Sequence, residues 1–290
     1  MLRNRKFYFF VLPAVLVIAV LIGFPVVKLF WLSGMRYDLM KGVIEPIGWA
    51  NFQRILGDTE FLHAILRTLL YVVVVVTANF VLGLTMAVVA DRPFKGNRLF
   101  QLILMFPMLL IPTAAGVLWR FMYNPTIGPL NSLLKALSLP QVAWLSSSSL
   151  AVWSIMLVDI WAWTPYMFLV LYAGLKALPQ EPLEAARIDG AGSFKVLRYV
   201  TLPMLRPVVF VAVSLKFIDT FRVFAYPWVL TEGGPGGSSH VMSTYIYLNA
   251  FRNLKYGLSS AMAVVAMLIS LTFSSIFLYF AFTRGRGETA

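Results

Sequence analysis

Six apolar runs, at about 8–32, 65–90, 98–122, 150–174, 206–230 and 258–282, set the terms on which this chain can fold. Each is long enough to cross a bilayer as a helix, which takes roughly 20 predominantly apolar residues. Inside hydrocarbon every backbone donor and acceptor must be paired within the protein, so only helices and closed barrels span. The second run contains YVVVVVTANFVLGLTMAVVA, rich in β-branched residues, yet barrel strands would read as segments of about ten alternating residues. The chain is 60% hydrophobic and 12% charged, where soluble domains carry about 25% charged residues. The expectation is an all-α integral membrane protein, one transmembrane domain over 1–290.

Charge orients the spans. The segment before the first run carries Arg3, Arg5 and Lys6. The run that follows is too long, and lacks the small-residue cleavage site, for a signal peptide, so it is read as an uncleaved span. The connection at 33–64 is net acidic, whereas the short loop 91–97 and the C-terminal segment, with Arg284 and Arg286 against Glu288, are net basic. Basic residues collect on the cytoplasmic side, which gives six spans with both termini in the cytoplasm. Lys28, Arg67 and Arg120 then fall near outer span ends, where long side chains snorkel. The net charge of +12 belongs to this pattern and does not argue for nucleic acid.

Several chemistries are excluded. There is no Cys, hence no disulfide, thiolate ligand or thiol nucleophile, and His63 and His240 are too far apart in sequence to suggest a metal site. The phosphate-cradling pattern G-x-x-x-x-G-K-[ST] is missing; GAGSFKV at 190–196 lacks its spacing. No HExxH and no Ser/His/Asp grouping supports an integral membrane enzyme.

The segment EAARIDGAGSFKVLRYVTLP, Glu184 to Pro203, is polar and rich in small residues between two apolar runs. Pro182, Glu181 and Glu184 suit a helix start, and Asp189-Gly190 is a turn signal. A helix at about 181–189, a turn, and a second helix at about 193–201 with Phe194, Leu197 and Val200 on one face are expected, with Pro203 and Pro207 leading into the fifth span. From pattern alone this elbow could be an amphipathic cap on the bundle. The spacing Glu184-Ala185-Ala186, Gly190, Val200, Leu202-Pro203 resembles the EAA loop of ABC importer permeases. LWRFMYNPTIGPLN at 118–131, WAWTPYMFLVLYAGLKALP at 161–179 and VLTEGGPGGSSHVMSTYIYLNAF at 229–251 are similar to the carbohydrate-uptake branch, in particular its first permease subunit (the maltose and glycerol-phosphate type).

The resemblance implies a permease fold with a cytoplasmic coupling elbow at 181–203 in a bacterial or archaeal cytoplasmic membrane. It implies a second permease subunit, an ABC ATPase dimer holding ATP and Mg, an extracytoplasmic solute-binding protein and a carbohydrate substrate, with no cofactor on this chain. Glu184, Ala185, Ala186, Asp189 and Gly190 are the expected ATPase-coupling residues. Glu184 would contact an Arg of the ATPase, and Gly190 would make the turn.

Charges inside spans cost roughly 2.5–3.5 kcal/mol each on the insertion scale, so they must face protein or water. Asp159 in the fourth run and Lys216, Asp219 and Arg222 near the centre of the fifth are such residues, and Asp219 and Arg222 are spaced to pair on one helix. With the aromatics Trp161 and Tyr226 they are candidates for a substrate path; Trp163, Phe217 and Phe221 lie nearby. The same charges could equally form an ion-pair network holding two permeases together. Asn79 is expected to hydrogen-bond between helices. Pro107 and Pro112 should break the third run where it faces protein or water. A permease for another solute class and an ion-driven secondary transporter are the alternatives.

Overall fold

The computed structural model describes residues 5–286, with side chains placed over 11–279. The terminal charges Arg3, Arg5, Lys6, Arg284, Arg286 and Glu288 lie outside those described side chains. Among the described residues, five helices are long and apolar enough to cross a membrane: Val11–Ser33, Thr59–Asp91, Ala151–Ala177, Ser193–Thr220 and Tyr256–Tyr279. The pair Asn97–Leu109 and Pro112–Met122 makes a sixth if counted together, and it is bent by 101°. The bend sits where the sequence places Pro107 and Pro112: Ile111 is extended, with ψ 144°, and Pro112 starts the next helix.

Other prolines do not break their helices. A proline lacks an N–H and crowds the carbonyl one turn back. Ahead of Pro25 and of Pro203 the backbone widens into a five-residue π turn, at Ala19–Gly23 and at Leu197–Thr201. There Phe24 N donates to Ala19 O and Leu202 N to Leu197 O, keeping the ladder closed.

The consequence corrects two expectations. The second elbow helix and the fifth span are one helix, Ser193–Thr220, and a turn then leads into a separate short helix, Ala225–Thr231. Lys216 and Asp219 therefore lie near the end of the fifth span and Arg222 beyond it, not at its centre. On the face expected to carry Phe194, Leu197 and Val200, Phe194 is 75% exposed and the other two are half-buried. Val196 and Thr201 are the buried positions there.

The chain divides into two compact units. One comprises residues up to 63 together with 245–269. It contains an antiparallel hairpin, Met35–Asp38 with Val43–Pro46. The buried Asn51 holds the hairpin's entry by donating from Nδ2 to Ser33 O at 2.9 Å and Met35 O at 2.8 Å. The Tyr245 hydroxyl donates to Asp58, 3.1 Å from each carboxylate oxygen, and its ring stacks on Phe61.

The other unit comprises 64–244 and the residues from 270 onward. Its centre is the Ala151–Ala177 helix. Tyr71 and Val75 pack with its Ile155, Met156 and Val158, and Ala87 and Ala90 with its Met167, Phe168 and Leu171. Lipid offers no hydrophobic drive for helix association, so close packing of small residues must supply it. At Gly83 a Cβ would stand 2.8 Å from Met167 Cβ and 2.9 Å from Phe168 N. The Thr59–Asp91 helix can approach that closely only because the side chain there is a hydrogen.

Candidate functional site

Asp159 and Trp163 are four residues apart on the Ala151–Ala177 helix and so share a face. Lys216 Nζ lies 2.8 Å from Asp159 Oδ1, and Tyr71 donates its hydroxyl to Oδ2 at 3.0 Å. The Lys216 and Asp159 side chains are only 1% and 2% exposed. Pairing and complete use of the carboxylate is how such charges persist away from water. The Lys216 ammonium also sits over the Trp163 ring, 4.6 Å from its centroid.

In front of this group is a cavity of about 280 Å³ lined by Pro112, Asp159, Trp163, Asp219, Arg222 and Tyr226, among others. Arg222 Nη2 lies 3.8 Å from Asp219 Oδ1, with the side chains 75% and 47% exposed. The cavity thus gathers Asp159, Asp219, Arg222 and Tyr226. It does not gather the other two candidates. Lys216 stands behind the wall, and Trp161 lines a separate apolar cavity of about 690 Å³ with Leu82, Pro107 and Trp119. Its ring meets Trp119 edge-on, with centroids 5.4 Å apart. Asn79 accepts from Thr164 Oγ1 at 3.0 Å, a bond between helices.

The segment after the cavity is a stiff loop. Ser239 Oγ donates to Gly234 O at 2.7 Å and lies 2.7 Å from Thr231 Oγ1, closing residues 231–239 on themselves. Arg67 Nη1 donates to Gly237 O at 2.8 Å and Arg120 Nη1 to Val229 O at 3.2 Å. These two arginines bond backbone carbonyls of the 225–239 segment, which folds back within their reach.

The elbow helix spans Glu181–Ile188. Pro182 sits in its first turn with Glu181 and Glu184, and Arg187 in its last, each charge favourably placed against the helix dipole. Gly190, at φ +80°, ends it: Gly190 N donates to Arg187 O and Ala191 N to Ala186 O, both at 3.0 Å. This left-handed cap is the geometry glycine adopts at least cost. Leu183 faces inward, whereas Glu184 and Ala185 are exposed and Ile188 is 86% exposed. Ala186 is half-buried, and Asp189 and Gly190 are exposed at the turn. Behind the elbow Lys176 Nζ pairs with Asp91 Oδ1 at 2.8 Å, tying the ends of two spans.

Among the described residues no group of three or more His, Cys, Asp or Glu side chains is placed to hold a metal ion. The cavity offers carboxylates, a guanidinium, a phenol and an indole. These can hydrogen-bond and stack on a ligand.

Residues 79–287 match the family described as "Binding-protein-dependent transport system inner membrane component". The chain belongs to that family. It is a permease subunit of an ABC importer and not an enzyme in its own right. This permease is 35% identical over 272 residues to the trehalose/maltose transport system permease protein MalF of Thermococcus litoralis, covering 93% of this chain and 92% of that one. It is 31% identical over 267 residues to the sulfoquinovosyl glycerol transport system permease protein SmoG of Agrobacterium fabrum, covering 92% and 87%. In fold it is similar to a chain from the crystal structure of a bacterial ABC transporter involved in the import of the acidic polysaccharide alginate. The TM-score is 0.85 at 20% identity, over 99% of the permease and 97% of that chain.

Sequence reasoning did not single out Tyr71, which completes the Asp159 carboxylate. Its one signal is a hydroxyl opening a run of valines. Nor did it separate Trp163 from Trp161, since two positions along a helix place side chains about 200° apart.

Proposed function

We propose that this permease forms half of the translocation path of an ATP-driven, binding-protein-dependent carbohydrate importer. A second permease of similar fold supplies the other half. An ABC ATPase dimer holds ATP and Mg on the cytoplasmic side, and a solute-binding protein delivers substrate from the outer side. Residues 1–290 act as one transmembrane domain in a bacterial or archaeal cytoplasmic membrane, with both termini in the cytoplasm.

The observation that carries this reading is the elbow. A short capped helix presents Glu184, Ala185 and Ile188 outward and passes through one tight turn into the continuous helix Ser193–Thr220. A push on such a helix is transmitted to Lys216 and Asp219, beside the polar cavity. Glu184 pairs with an Arg of the ATPase, and Ala185 and Ala186 let its cleft approach closely. Asp189 and Gly190 form the turn that carries the motion. Alternating access follows from rocking of the helices around the cavity. The most exposed span, Val11–Ser33, has none of its apolar window buried, which leaves it for lipid and the second permease. Sugar as the cargo is supported by the named substrates of the relatives, trehalose, maltose and sulfoquinovosyl glycerol.

The test is Glu184→Lys in the assembled importer, reconstituted in vesicles. Uptake is expected to be lost while insertion of the permease persists. Full uptake in that variant would overturn the coupling assignment. Purification of the tagged permease is expected to recover a second permease and a P-loop ATPase; recovery of the permease alone, under conditions that keep such complexes intact, would overturn the proposed assembly.

A further inference from the structure

We infer that the start of the Ser193–Thr220 helix is a docking face for anionic phospholipid. Lys195 and Arg198 hold headgroup phosphates there, and Phe194 and Tyr199 sit at the level of the glycerol esters. The inference needs only that this helix spans a bilayer, and it stands apart from the importer reading.

Four side chains make the face. Phe194 and Tyr199 are 75% and 74% exposed. Lys195 and Arg198 are also exposed, and neither side chain has a hydrogen-bond or ion-pair partner among the described residues. At 3.6 residues per turn the four fall within about 140° of one another. The opposite side of the same helix start is packed. Val196 and Thr201 are buried, and with Leu183, Ser193 and Leu197 they line a cavity of about 220 Å³ behind the elbow. The outward face is therefore what the packing of this chain leaves uncovered, and it carries two rings, two cations and no carboxylate.

Depth selects the partner. The helix has 28 residues, about 42 Å at 1.5 Å per residue. At the usual tilt of about 20° it still spans about 40 Å of depth, against about 30 Å for the hydrocarbon core and about 40–45 Å for the bilayer with its headgroups. From Val200 to Leu215 the only charge is Arg206, so the hydrocarbon begins past Tyr199 and residues 193–199 stand at headgroup depth.

Tyr collects at that depth because its ring is apolar and its hydroxyl is wet. Lys and Arg there are drawn to anionic headgroups, and their long stems let the charge reach the phosphate. Rings and cations on one exposed face are the composition of an interfacial helix. The elbow helix and its turn differ: Glu184, Arg187 and Asp189 are exposed charges of mixed sign, as a contact with another protein uses. The face at Phe194–Tyr199 is of one sign, complementary to an anionic lipid surface.

The test uses the complete purified complex in vesicles of phosphatidylcholine mixed with phosphatidylglycerol. Benzoylphenylalanine replaces Tyr199, and its light-driven adducts are identified by mass spectrometry. Adducts with phospholipid are expected, enriched about fivefold or more in phosphatidylglycerol over its share of the vesicle, since one cation near the surface contributes a factor of about five. The enrichment should weaken at high salt. Lys195→Gln/Arg198→Gln should bring it close to the bulk share with the melting temperature of the complex unchanged, because both side chains are exposed. Adducts with a protein chain in place of lipid would overturn the inference and make this face a subunit contact. Lipid adducts at the bulk share in the parent complex, or an enrichment that survives in the double variant, would overturn it as well.

Discussion

Gly233 lies against the His240 ring: a Cβ built on it would stand 1.9 Å from His240 Cε1, at a backbone φ of +90°. Gly236 also has positive φ, +56°, but nothing lies within 4 Å of its Cβ position. The two glycines of one loop thus separate backbone strain from collision. Gly236→Ala should cost about 1–2 kcal/mol, the left-handed penalty alone. Gly233→Ala adds displacement of the imidazole and should lower the melting temperature of the detergent-purified complex further. Equal losses in the two variants would refute the packing argument.

The buried pair Asp159–Lys216 gives a signed prediction. Lys216→Met leaves a carboxylate unpaired away from water and should destabilise by about 3–5 kcal/mol. Asp159→Asn/Lys216→Met removes both charges and keeps an oxygen for Tyr71, so most of the loss should be recovered. Thermal unfolding of the single and double variants decides it. A double variant no more stable than the single would show that the pair is not what Lys216 contributes.

Close helix approach can be ranked at two glycines. At Gly83 a Cβ meets Met167 Cβ and the Phe168 backbone N, which cannot move aside. At Gly174 it meets Leu205 Cδ1 and Val208 Cγ1, both at 2.8 Å, the ends of side chains. Gly83→Ala should destabilise by about 1–3 kcal/mol, the usual range for overpacking, and Gly174→Ala by less. The order is read from melting temperatures in detergent, and reversal would count against the helix spacing described.

Tyr245 provides a pH dependence. Burial, then the charge of Asp58 and its hydrogen bond, push its phenol from 10.0 up to about 12. Because the folded value is the higher, its contribution is fully present below about pH 10 and is lost as pH rises toward 12. The hydrogen bond to Asp58 should make wild type more stable than Tyr245→Phe at neutral pH, with the gap constant from pH 7 to 9 and, because ionisation is disfavoured in the folded state, narrowing above pH 10. A gap that opens or closes between pH 7 and 9 would contradict the assignment.

Some of this architecture is legible in the chain as written. The break at Pro107 and Pro112 is a local backbone property, and the structure bends there by 101°. The turn at Asp189-Gly190 is equally local, and Gly190 takes the left-handed conformation. The fifth span departs from its expected bounds for a physical reason. Pro203 and Pro207 signal a boundary, but the π turn at Leu197–Thr201 keeps the helix continuous past Pro203. That displaced Lys216, Asp219 and Arg222 relative to the span's ends. The hairpin at Met35–Asp38 and Val43–Pro46 is too short for apolar periodicity to announce.

The sequence by itself determined that the chain lives in lipid as helices, because run length and the need to pair every backbone group are local matters. It determined the elbow as well, through residue types at fixed spacing. Only the tertiary structure decided that Asp159 pairs with Lys216, 57 residues on, and with Tyr71, 88 residues back. It also decided that Trp163 rather than Trp161 faces the polar cavity. Such choices depend on the rotation of one helix against another. In a membrane that rotation is fixed by van der Waals fit at positions such as Gly83 and by interhelical bonds such as Asn79 to Thr164, neither of which is written in any single apolar run.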